Sequence, residues 1–169
     1  MIIEGWKELK NFSTTELDTS GRPLITDVEK INGIMMVMVD EWVSFLKEVY
    51  KEREKVYCKV HCILTGKHAK DSYHKEGSAI DVHVSGLSLY EMVVSALMFG
   101  FRGVGFYVLD KENKKEEMRV YNPFVHLDIR PFKNMRATMW YREEGKYEYA
   151  PTKILARLSV EDCLQQFPY

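Results

Sequence analysis

The apolar positions of this chain follow two periods, and the switches between them mark its elements. From Val28 through Ile31, Met35, Met38, Trp42 and Phe45 to Val49 they recur every three or four residues, the period of a long amphipathic helix. Thr26 and Glu29 form a T-x-x-E capping box at its start, each side chain satisfying an orphan backbone donor. VYCKVHCIL, residues 56–64, alternates instead, which puts Val56, Cys58, Val60, Cys62 and Leu64 on one face of a strand. Residues 80–84 predict a second, short strand. Ser88 and Glu91 make another capping box, opening the helix LYEMVVSALMF, and Gly100 stops it.

Further strands are predicted at residues 103–109, 120–129 and 137–141. DKENKKEE reads as a solvated turn, EEGK as a hairpin turn into KYEYA, and the last residues as one or two short helices. The order α-β-β-α-β-β-β predicts an α+β fold, a mainly antiparallel sheet flanked by helices. Residues 1–169 are expected to form a single domain, since no Pro/Gly/Ser-rich linker divides them.

Composition narrows the function classes. Hydrophobic residues make up 46% and charged residues 29%, the balance of a globular chain rather than a disordered one. The net charge of −1 supplies no overall field toward nucleic acid or anionic lipid, so neither is expected as a partner. The longest apolar run, IMMVMV, falls far short of the roughly 18 residues of a membrane span. MIIEGWKELK lacks the basic head and apolar middle of a secretory signal, so the expected location is cytoplasmic as synthesised. The three cysteines are an odd count and give no disulfide framework. Cys58 and Cys62 bracket His61, which invites a zinc reading, but C-x3-C without a second pair favours core packing for both.

The chemistry concentrates in SYHKEGSAIDVHV, residues 72–84. His74 and Asp81 are too far apart for one helical turn, but Gly77 between them lets the chain fold back so that both converge on one ion. A further ligand must come from elsewhere, and FVHLDIRP offers it: His126 and Asp128 stand two apart in a predicted strand and leave the same face. Two imidazoles and one carboxylate leave an open fourth position, the design of a catalytic zinc site. His83 shares the face of Asp81 and is either an auxiliary acid or a neighbour without a role. Nothing convergent surrounds His61 or His68 in sequence. Arg130 could bind a substrate carboxylate or lie on the surface.

S-x-H-x-x-G-x-A-x-D (Ser72, His74, Gly77, Ala79, Asp81), then GFRGVGFY, FVHLD and Trp140, resembles the zinc D-Ala-D-Ala carboxypeptidase family. The similarity runs from NFSTTEL to MWY and is closest to the branch whose last motif reads His-x-Asp, related in fold to the Hedgehog signalling domain. It implies that His74, Asp81 and His126 bind Zn2+. It also implies cleavage of peptide bonds in peptidoglycan stems, in some members as phage lysis enzymes that reach the cell wall after release. Two positions depart from the pattern. Pro123 stands where many members carry the acid that serves as general base, which leaves Asp128 as the substitute base or as a carboxylate orienting His126. Lys67, beside His68, stands where an Arg often holds the oxyanion; it keeps the charge without the planar fork. The alternative is a non-catalytic zinc-binding module that retains the peptidase fold.

Overall fold

Alternation along each strand sorts the side chains to two sides of one sheet, and among the described residues the α-helices pack on one of them. The structure, a computed structural model, describes residues 9–13, 17, 21–23, 27–53, 55–65, 68, 70–107, 124–131, 138–143 and 146–166. In chain order the elements are α1 (Gly33–Val49), β1 (Tyr57–Cys62), β2 (Ala79–Ser85), α2 (Leu89–Met98), β3 (Gly103–Tyr107), β4 (Val125–Asp128), β5 (Thr138–Glu143), β6 (Lys146–Glu148) and α3 (Pro151–Gln166). Short 3-10 turns occupy Val28–Lys30 and Tyr73–Glu76.

The fold is α+β, with six strands in the order β1-β2-β4-β3-β5-β6. The sheet is mixed. β1–β2, β2–β4, β3–β4 and β5–β6 pair antiparallel, whereas β3 and β5 run parallel from Gly103↔Thr138 to Tyr107↔Arg142. β5 follows β4 in sequence but is not its neighbour. It reverses direction and lands on the far side of β3, which itself runs against β4.

Ile80, Val82 and Val84 of β2, Val104 and Phe106 of β3, and Val125 and Leu127 of β4 form one core with α1, α2 and the Ile154–Leu158 face of α3. Trp42 anchors it, fully buried, edge-on to Phe101 at 6.0 Å and donating its indole N–H to Ser95 Oγ at 3.1 Å. The residues between, at Asp81, Gly103, Gly105, His126, Asp128 and Trp140, point to the other side of the sheet.

Two helical expectations require correction. α1 starts at Gly33, not at a Thr26 box: Asn32 caps it, its side chain accepting from the Ile34 and Met35 amides, while Glu29 belongs to a separate 3-10 turn. Thr26 itself lies outside the described residues. The Asn32 amide donates to the Gly77 carbonyl at 3.0 Å, so a contact distant in sequence sets where the helix begins. The buried stripe is also turned around the axis. Met35, Met36, Val39, Trp42, Val43 and Leu46 are buried, while Phe45 and Val49 remain 42% and 52% exposed. α2 keeps the predicted Ser88–Glu91 box and ends at Gly100, whose φ of 92° suits only glycine at low cost.

Candidate metal centre

Each member of the His-Asp-His set is placed by an element that the local sequence explains. His74 lies in the 3-10 turn capped by the Ser72 side chain and closed by Gly77 at φ 64°. A β-carbon at Gly77 would meet the Lys30 carbonyl oxygen and come 2.7 Å from Ile31 Cα, so the turn packs directly on the backbone leading into α1. Asp81 is on β2, and His126 lies opposite it on β4.

The three side chains meet behind the open face. His74 Nε2 is 3.2 Å from Asp81 Oδ1 and 3.0 Å from His126 Nδ1, and His126 Nδ1 is 2.9 Å from the same Asp81 oxygen. They are 3%, 9% and 6% exposed, so little water competes with an ion for them. Tetrahedral zinc at 2.0–2.1 Å from its donors separates them by about 3.3–3.4 Å. The observed triangle is slightly tighter than that and needs only a small expansion.

The remaining ring nitrogens are tied off. His74 Nδ1 lies 2.8 Å from the Ile63 carbonyl, which can only accept, so Nδ1 carries the proton and Nε2 presents its lone pair. His126 Nε2 lies 3.1 Å from Asp128 Oδ2, which leaves Nδ1 turned toward the other two donors. Metal-bound imidazoles are normally held in this way. Without a cation the cluster retains a proton instead. Burial opposes charge on His126, but its bonds to Asp128 and Asp81 outweigh this and raise its pKa to about 9. Burial likewise opposes charge on Asp81, yet His126 and His74 hold its carboxyl well below the usual range. Hence His74, Asp81 and His126 can hold a metal ion, which would take the place of that proton.

Asp128 is fully buried, and its oxygens are spoken for. It accepts from His126 Nε2, from the Arg130 amide at 3.1 Å and from Arg130 Nε at 2.8 and 3.0 Å, with Arg130 Nη2 on Oδ2 as well. Burial pushes its carboxyl up, but Arg130 and His126 bring it down to about 2. Arg130 therefore serves Asp128, and its guanidinium is also held between Tyr73 and Trp140 at 4.8 and 4.7 Å.

The two glycines of GVGFY make room for this arrangement. A β-carbon at Gly103 would collide with the Asp128 carboxylate, and one at Gly105 with the Trp140 indole, which packs 5.1 Å from the His126 ring. The triad opens on a cavity of about 600 Å³ walled by aromatic residues, among them Tyr73, Tyr107, Phe124 and Trp140, with Arg142 beside them.

Cys62 is where the alternation fails. Val60 pairs with Val82, but Cys62 pairs with Asp81, so His61 forms a bulge and everything after it changes face. Cys58 packs against the core as expected, whereas Cys62 lines the cavity and its thiol lies 3.1 Å from Asp81 Oδ2. The C-x3-C spacing, which alternation puts on one face, gave no sign of this in the sequence. His68, in the loop beyond, stacks on His74 with ring centroids 4.2 Å apart. His83 is buried on the face of Asp81, and His61 packs against Phe124 at 4.9 Å. Lys67 and Pro123 lie outside the described residues. Among the described residues no helix is long and apolar enough to cross a membrane. Comparison with protein-family models, curated proteins and solved structures gives no significant match.

Proposed function

We propose that this chain is a zinc metallopeptidase of the D-Ala-D-Ala carboxypeptidase type, with the Hedgehog-related fold of that family, acting on peptidoglycan stem peptides. The observation that carries the reading is the buried His74–Asp81–His126 triangle, whose outward ring nitrogens are tied off and whose open side faces the cavity. Zinc held there supplies Lewis-acid chemistry, polarising a carbonyl and making water acidic enough to attack at neutral pH. His74, Asp81 and His126 hold the ion, and Asp128, braced by Arg130, fixes the His126 ring. Tyr73, Tyr107 and Trp140 wall the peptide and exclude water from it, and Arg142 offers a cation for a substrate carboxylate. Lys67 is assigned the developing oxyanion.

The engagement of both Asp128 oxygens favours a second reading, a zinc-binding module without turnover. As a base Asp128 would act only through His126, because its carboxylate lies behind that ring rather than in the cavity. One experiment separates the two. Purified protein is assayed for metal by plasma mass spectrometry and incubated with a synthetic stem pentapeptide and with cross-linked stem peptides, and the products are read by mass spectrometry. The peptidase reading expects about one zinc per chain and cleavage lost both to chelator and in His126→Ala. Zinc bound stoichiometrically with the pentapeptide and cross-linked stems left intact would establish the non-catalytic module instead.

A further inference from the structure

Outside the triad a second group of metal-binding atoms converges. Cys62 Sγ and ring nitrogens of His68 and His74 lie within 4.8 Å of one another. Cys62 and His68 are half-buried and line the cavity, so an ion entering from solvent reaches them before the buried triad.

His74 is poorly placed to serve both groups. Its Nε2 belongs to the triad, and its Nδ1–H is committed to the Ile63 carbonyl. Asp81 is better placed. Its Oδ1 faces His74 and His126, while its Oδ2 accepts from the Cys62 thiol at 3.1 Å. A cation here displaces only the thiol proton, which passes to solvent, and it is attracted by the thiolate and the carboxylate together. The same two anions without an ion between them would repel each other. His68 Nε2 lies 2.6 Å from the Thr65 carbonyl and so donates to it, leaving Nδ1 with a free lone pair.

We propose that Cys62 Sγ and His68 hold a second metal position for a thiophilic divalent ion, with the Asp81 carboxylate, in contact with the Cys62 thiol, standing between it and the triad. Thiolate and imidazole together select zinc-like ions over magnesium or calcium. The proposal rests on the metal triad of the function proposed above, not on turnover.

The test is a titration of the metal-free full chain with Co2+, followed by absorption. The first equivalent, held by two imidazoles and a carboxylate, gives visible ligand-field bands without a thiolate band. The second equivalent is expected to add thiolate-to-cobalt charge transfer in the near ultraviolet. Cys62→Ser should remove that band and the second equivalent while keeping the first. His68→Ala should weaken the second equivalent by about tenfold or more, with circular dichroism confirming that both variants fold. His126→Ala should weaken the first equivalent and leave the thiolate band. A single equivalent without the band overturns the proposal. So does a band that grows with the first equivalent, which would make Cys62 a ligand of the first ion. Failure of stem-peptide cleavage alongside the expected cobalt pattern would reject the peptidase and leave the second position standing.

Discussion

Gly103 faces Asp128 across the β3–β4 pair, and the Asp128 carboxylate fills the space a side chain at 103 would need. The bond from Asp128 to His126 therefore depends on an absent β-carbon one strand away. Gly103→Ala is expected to push the carboxylate off His126 Nε2. The overpacking should cost about 1–3 kcal/mol, and zinc affinity should fall about 10–100-fold. Urea denaturation and a competitive zinc titration measure the two effects. An unchanged zinc affinity would show that Asp128 does not orient the ligand.

Metal uptake should release a proton. In the metal-free chain His126 titrates at about 9, above its usual 6.5, because Asp128 and Asp81 overcome the burial that opposes its charge. A ligand must lose that proton before it can bind. Apparent zinc affinity should then rise about tenfold per pH unit through neutrality and level off above the raised value. The sign for stability is opposite. The protonated His126 stabilises the metal-free fold fully below pH 6.5, and that contribution is lost as pH rises through about 9. Calorimetry in buffers of different ionisation enthalpy counts the proton, and a count of zero at pH 7 would contradict the charge assignment.

Away from the site, Glu91 links the start of α2 to the turn after α1. It accepts from the Ser88 amide at 2.8 Å and pairs with both terminal nitrogens of Arg53 at 2.7 and 2.9 Å. Burial pushes its carboxyl up, but the bonds from Arg53 and Ser88 leave it below its ordinary 4.5. Glu91→Gln should cost about 0.5–1 kcal/mol at neutral pH, a modest figure because Arg53 is substantially exposed. The cost is present above pH 4.5 and fades as pH falls through the lowered value. Thermal melts of both proteins at neutral and acidic pH test this, with convergence expected in acid.

Gly77 and Gly100 separate a clash from simple backbone preference. Both have positive φ, 64° and 92°, but a β-carbon at Gly100 meets nothing within 4 Å, whereas one at Gly77 meets the Lys30–Ile31 backbone. Gly100→Ala should cost about 1 kcal/mol, the left-handed penalty alone. Gly77→Ala should cost more and also weaken metal binding, because the turn that carries His74 must move. Equal stability losses with equal zinc affinity in the two variants would contradict the packing described for Gly77.

What the sequence alone determined is the part governed by neighbours a few residues apart. The Ser88–Glu91 box and Gly100 bounded α2, because caps act within one turn. Period-two alternation put Asp81 on one face of β2, and His126 with Asp128 on one face of β4, because pleating acts residue by residue. Tertiary structure decided the rest. α1 begins at Gly33 because Gly77, far along the chain, accepts the Asn32 amide. Cys62 faces the cavity because β1 bulges against β2, and no alternation within β1 records its partner's register. Arg130 turns to Asp128 rather than to a substrate, since burial of that carboxylate demands a partner. The parallel β3–β5 pairing follows from where the chain lands after β4, a choice settled by the whole sheet and its core rather than by any single strand.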